Sequence, residues 1–281
     1  MGKGKNNEEL FRSMPVAQAI LTLAVPTVVS QIITIIYNMA DTFFIGQLGD
    51  PKQVAAATLA MPLFMFMTAL SNLFGVGGAS LISRFLGRGE REKASHCGAF
   101  CIWTAAAVSV LYGLMVLAGR PVLLPVLGAN EETCDMASSY LFWTIGLGAL
   151  PTVMNPVLAH LIRSEGYSRQ ASLGVAFGGI LNMVLDPLFI YGLHLQITGA
   201  AVATLISNAT AMIYFLAFIW KMRGVSVLTL SPEMYTLGEH IPAEVISVGM
   251  PSFLISMMGT VSNMVLNHII AGYSNVAVAG M

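Results

Sequence analysis

Residues 17–47 read AQAILTLAVPTVVSQIITIIYNMADTFFIGQ, and the whole stretch carries one formal charge, Asp41. About 20 apolar residues are enough to cross a bilayer as a helix. This run is longer, so it reads as a tilted or kinked span. A carboxylate in such a span must face protein or water, or be protonated. The stretch therefore sets two expectations: the chain lies in a membrane, and Asp41 has a function there.

The rest of the chain repeats the pattern. Of 281 residues, 56% are hydrophobic and 10% charged, with a mean hydropathy of +0.76. Soluble domains carry roughly 25% charged residues. Further apolar runs cover about 53–83, 94–118, 134–162, 170–193 and 198–221. After the linker KMRGVSVLTLSPEMYTLGEHIP a seventh covers about 243–271, and an eighth, NVAVAGM, begins. The expected fold class is an all-α, polytopic transmembrane bundle. A net charge of −1 argues against a nucleic-acid partner.

The basic residues orient the spans. With a cytoplasmic N-terminus, Lys3, Lys5, Arg12, Arg84, Arg88, Arg91, Lys93, Arg163, Arg169, Lys221 and Arg223 lie inside, and Lys52 and Arg120 outside. That division, 11 against 2, uses all 13 Lys and Arg. The excess of basic residues in cytoplasmic loops thus supports six spans before the linker, in a bacterial or archaeal cytoplasmic membrane.

A weak internal repeat accompanies this. Pro26, Asn38, Met39 and Ile45 recur as Pro251, Asn263, Met264 and Ile270, all at an offset of 225. After an even number of spans the seventh has the orientation of the first, as in transporters built from parallel repeats. We therefore expect a cytoplasmic tail (1–15), a six-helix lobe (16–222), a cytoplasmic inter-lobe linker (223–241) and the start of a second lobe (242–281). On this reading the chain is C-terminally incomplete. The parent protein would supply the rest of the second lobe, and residues 1–281 would insert without transporting.

Two acids lie well inside spans, Asp41 and Asp186. A charge at mid-bilayer costs roughly 2.5–3.5 kcal/mol on insertion scales, so neither placement is casual. Spans one and five both run outward, and each acid falls near the outer end. Asn182 precedes Asp186 by four residues and Asn38 precedes Asp41 by three, which puts each amide on its acid's helix face. Thr204 lies about two turns into the inward-running sixth span. Asp41, Asn182, Asp186 and Thr204, with Asn38 in support, compose a polar pocket for a proton network or a hard cation such as Na⁺. Pro187 frees a carbonyl one turn before Asp186 and bends that helix, and Pro26 bends the first. The bland alternative is that each acid caps or glues helices near the surface.

Other features carry less. FGVGGAS at 74–80 reads as a close helix crossing. His160 and His268 read as packing histidines. Cys97, Cys101 and Cys134 are too few for a disulfide framework, and no dedicated metal site or cofactor is expected. There is no phosphate loop and no paired hydrolase motif, so we expect no enzyme and no nucleotide-driven pump.

Three stretches together, AVPTVVSQIITIIYNMADTFFIGQLGD, GVGGASLISRFLGRGEREKA and LNMVLDPLFIYGLHLQITGAAVAT, resemble the multidrug and toxic compound extrusion (MATE) transporters, from about Met14 onward. The resemblance implies two six-helix lobes around a central cleft, and export of bulky, often cationic organic compounds against inward H⁺ or Na⁺. Asp41, Asn182, Asp186 and Thr204 then fall on the cation site of the N-terminal lobe in the DinF-like branch. The NorM-like branch has a glutamate in span seven; PSFLISMMGTVSNMVLNHIIAG has none. Two rival readings fit the residues less well. A lipid-linked oligosaccharide flippase would carry basic residues in its cavity, and none here is mid-span. A channel or receptor would favour a ring of like residues over an unequal pair of acids.

Overall fold

The computed structural model describes residues 15–129, 131–238 and 240–271. Its elements are α1 (Val16–Gly46), α2 (Pro51–Arg88), α3 (Arg91–Val126), α4 (Glu131–Leu141), α5 (Ala149–Ser164), α6 (Ser168–Pro187), α7 (Gln196–Lys221) and α8 (Ile241–Ala271). Short π-helical segments, Phe142–Leu147 and Leu188–Gly192, follow α4 and α6. Six helices are singly long and apolar enough to span a membrane. α4 and α5, bent by 45° between them, pass the same length and composition test only as a pair, and make seven when counted as one span. The tail before Pro15 and the eighth apolar run lie outside the described residues.

The helix ends overrun the apolar runs where polar turns can continue into water. α2 is opened by the Asp50 side chain, which accepts the Lys52 backbone N–H at 3.0 Å, with Pro51 in the first turn. It closes on Gly89, whose φ of +81° suits the left-handed C-cap. The break between α4 and α5 has a local cause. Pro151 has no N–H to offer the carbonyl four residues back, and the backbone widens into a π-turn just before it. Pro187 does the same on α6: the widened segment begins at the next residue, and Leu193 N–H reaches back five residues to Leu188 O at 2.9 Å.

Packing rests on small residues, as expected where lipid offers no hydrophobic drive between helices. The glycines of FGVGGAS face three different neighbours. A Cβ on Gly75 would meet His160 and Val157 of α5, and one on Gly78 would meet Cys101 of α3 and Leu161 of α5. On Gly77 it would lie 2.5 Å from the Val245 carbonyl of α8. This is the close crossing expected of the motif, and His160 is a packing histidine within it. Cys97 and Cys101 are buried free thiols, and no cluster of metal-ligating side chains occurs among the described residues.

α6 is the wedge that assembles the pocket. Gly174 lies against Phe215 of α7, whereas Gly179 lies against Tyr37 and Ile33 of α1. α1 leans on α6 and shows most of its apolar surface outward, including Ile32, Ile35, Met39 and Phe43. α8 packs chiefly along α2. α1 and α8 begin 225 positions apart, and Pro26 and Pro251 sit at that same offset within them.

The polar contacts sort by end. Ser83 Oγ donates to Ser164 O (3.2 Å) and Arg91 Nη2 to Val225 O (2.7 Å), which gathers Arg84, Arg88, Arg91 and Arg163 at one basic end. At the other end Gln53 Nε2 donates to Gln196 Oε1 (3.0 Å), and Tyr191 Oη to Phe44 O (2.9 Å).

Candidate functional site

Asp186 is fully buried, and Asn182, one turn earlier on the same face of α6, is almost so. Asn182 Nδ2 donates to Asp186 Oδ1 at 3.1 Å and lies 3.4 Å from Thr204 Oγ1 of α7. The amide therefore bridges the two helices, and its carbonyl oxygen is left as an acceptor. Asp41 of α1 lies within electrostatic reach of Asp186. Its Oδ1 and the Oδ2 of Asp186 are buried with no hydrogen-bond partner among the described residues. Two buried carboxylate oxygens without partners among the described residues, on acids within electrostatic reach of each other and beside a hydroxyl and a carboxamide, form a donor set that fits a shared proton or a hard cation.

The structure brings together four of the expected residues: Asp41, Asn182, Asp186 and Thr204. It does not bring in Asn38, which is turned to the exposed face of α1 and makes no side-chain hydrogen bond among the described residues. Pro187 directly follows Asp186 at the start of the widened segment. Pro26 sits within a helix that runs unbroken from Val16 to Gly46.

Two neighbours escaped the sequence. Tyr140 of α4 lies within electrostatic reach of both acids, and Tyr37 of α1 within reach of Asp41. A polar rung continues from the pocket towards the basic end. Asn208, one turn after Thr204, accepts Asn155 Nδ2 at 2.8 Å and reaches Thr152 Oγ1 at 3.4 Å.

A third carboxylate, Glu165, lies in the turn between α5 and α6 and is only 8% exposed. Its Oε1 accepts the backbone N–H groups of Val227 (2.7 Å) and Leu228 (3.1 Å), and its Oε2 the Ser226 hydroxyl at 2.7 Å. The linker after α7 is thereby strapped to the bundle. Leu228 packs over Gly98 of α3, and Tyr235 stacks on Phe100 at 6.1 Å.

The chain is thus an all-α bundle of membrane-length helices with a buried acid cluster among α1, α6 and α7. The MatE family profile matches residues 26–188 of this sequence, and the chain belongs to that family. It is 32% identical over 269 residues to the "Multidrug export protein MepA" of Staphylococcus saprophyticus, covering 96% of this chain and 59% of that protein. Among solved structures it superposes on a MATE in the straight conformation with a TM-score of 0.88, and on a MATE in the bent conformation with 0.85. Both are 28% identical; the first match covers 96% of this chain and 60% of the other, the second 99% and 61%. The chain thus spans about three fifths of the length of the relatives it matches.

Proposed function

We propose that this chain forms the ion-coupled part of a secondary multidrug efflux antiporter, which exports bulky, often cationic organic compounds in exchange for inward H⁺ or Na⁺. The observation that carries the reading is the Asn182 bridge between Asp186 and Thr204, beside the unpartnered oxygens of Asp41 and Asp186. A DinF-like placement of coupling in this lobe agrees with an α8 that holds no acid between Pro251 and Ala271.

The chemistry follows from the cost of charge in the membrane. When a proton or Na⁺ enters from outside, it neutralises the pocket, and the end of α1 next to Asp41 repacks on α6. That packing favours outward release of the organic substrate. Loss of the ion to the cytoplasm resets the bundle. An ion shifts such an equilibrium only by its differential affinity for the two states. One solved relative is a MATE in the straight conformation and another a MATE in the bent conformation, which is consistent with a two-state reading.

The test is efflux of a fluorescent organic cation from proteoliposomes holding the protein that carries this sequence, with a pH gradient and a Na⁺ gradient imposed separately. Efflux driven by at least one gradient is expected. Unchanged efflux without either gradient would remove the antiport reading.

A further inference from the structure

We propose that the crease between the last turns of α2 and the first turns of α8 is a binding site for one anionic phospholipid headgroup. A cavity of about 430 Å³ opens there, lined by Leu81, Arg84, Phe85 and Arg88 from α2 and by Glu244 and Val248 from α8, among others. Arg84 and Arg88 are one helical turn apart and so project from one face. Both are exposed, and among the described residues neither makes an ion pair or a side-chain hydrogen bond. Glu244 is the one acid in the lining, which leaves the crease with a net positive charge.

Depth and floor identify the ligand. The apolar run of α2 ends near Ile82, and Arg84 is its first charge after Lys52, which puts Arg84 and Arg88 where a span meets the headgroups. Leu81 and Phe85 are buried and form, with Val248, an apolar floor directly beside the guanidiniums. A free phosphate would satisfy the arginines and leave that floor wet. A phospholipid satisfies both, with its phosphate on Arg84 and Arg88 and its glycerol and first acyl carbons on the floor. Basic pockets between membrane helices hold anionic headgroups in this way. Because the crease joins α2 to α8, the bound lipid would brace the seventh span against the second. The site shares no residue with the Asp41–Asp186 pocket.

The test uses delipidated protein in detergent, titrated with phosphatidylglycerol or phosphatidylcholine and read by native mass spectrometry. One saturable phosphatidylglycerol is expected, with no comparable phosphatidylcholine. R84A/R88A should weaken its retention roughly 30-fold, the change that ~1 kcal/mol per basic side chain at an anionic surface gives. Glu244→Gln should strengthen retention several-fold, and Arg223→Ala, outside the crease, should leave it unchanged. All four residues are exposed, so none of these variants threatens folding. Three results would each overturn the proposal: R84A/R88A titrating like the unmodified protein, equal binding of the two lipids, or displacement of phosphatidylglycerol by equimolar inorganic phosphate.

Discussion

Glu165 Oε1 accepts the backbone N–H of Val227 at 2.7 Å, across sixty-two residues of chain. The contact ties the turn after α5 to the linker after α7, and Leu228 and Ser226 donate to the same carboxylate. The linker is therefore part of the packed bundle and presents α8 to α2 in a fixed register.

Removing the carboxylate leaves buried donors without acceptors, at ~1–3 kcal/mol each. Glu165→Ala should lower hydrogen-exchange protection of the Val227 and Leu228 amides by roughly 10- to 100-fold. Glu165→Gln keeps an acceptor oxygen for both and should retain most of the protection. The pH dependence separates the two forms. Burial holds the Glu165 carboxyl above its ordinary value of 4.5, against the opposing pull of Ser226, Val227, Leu228 and Arg91. A raised folded value means its stabilising contribution is complete below the unfolded value and lost as pH rises through the folded one. The Tm of Glu165→Gln relative to the unmodified protein should therefore climb as pH rises from about 4.5. A relative Tm that falls over that range contradicts the assignment.

The α2–α8 crossing makes a sharper demand. A Cβ at Gly249 would run into Leu73 O, and one at Gly77 would stand 2.5 Å from Val245 O. Both obstacles are backbone, so no rotamer change relieves them. Gly249→Ala and Gly77→Ala should each destabilise by ~1–3 kcal/mol or more. They should also part Asn72 from Ser256, which lie in hydrogen-bond contact at 2.8 Å, so a disulfide between cysteines placed at 72 and 256 should form poorly. Gly259 has nothing within 4 Å, and Gly259→Ala should be neutral or mildly stabilising. Equal Tm values for all three variants would contradict the close crossing.

The basic end should face the cytoplasm, because 11 of 13 Lys and Arg then lie inside. Gly87 is exposed with open space around it, and Lys52 is exposed at the opposite end. With Cys134 replaced by serine, and Cys97 and Cys101 buried, Gly87→Cys in sealed cells should resist an impermeant thiol reagent. Lys52→Cys should react. The reverse pattern would invert the topology.

The spans were legible because their interiors lack charge, and Asp41 and Asp186 were legible because a carboxylate there is costly. The ends were less so. α3 runs to Val126 rather than to about 118, since a helix continues wherever its turns stay hydrogen-bonded, and apolarity does not mark that limit. Asn38 misled for a geometric reason. Residues three apart on a helix differ by about 60° in direction, and with Asp41 at the edge facing α6 that turn carries Asn38 outward. Nothing in the sequence sets Tyr140 apart from the other aromatics of its apolar run. Nor does it mark Glu165, because only the fold brings a linker some sixty residues away onto that carboxylate.

The pocket itself makes the last prediction. Asp41 and Asp186 each keep a buried oxygen without a hydrogen-bond partner among the described residues, and Asn182 ties Asp186 to Thr204. If ion uptake works by neutralising this cluster, an uncharged isostere fixes it in the neutral state. Asp41→Asn should keep the fold and retain binding of the organic substrate. It should abolish gradient-driven efflux, a loss of about 100-fold or more if ~3 kcal/mol of differential ion binding drives the switch. Asp186→Asn should behave alike, because its Oδ1 remains an acceptor for Asn182. The double variant should lose little beyond either single one, since interacting acids titrate as one site. Asn182→Leu removes the bridge without changing charge and should weaken ion dependence while leaving some transport. Proteoliposome efflux at stepped pH and stepped Na⁺ reads all four. Should Asp41→Asn export at the unmodified rate, with the unmodified pH and Na⁺ dependence, Asp41 is a structural acid and coupling lies elsewhere.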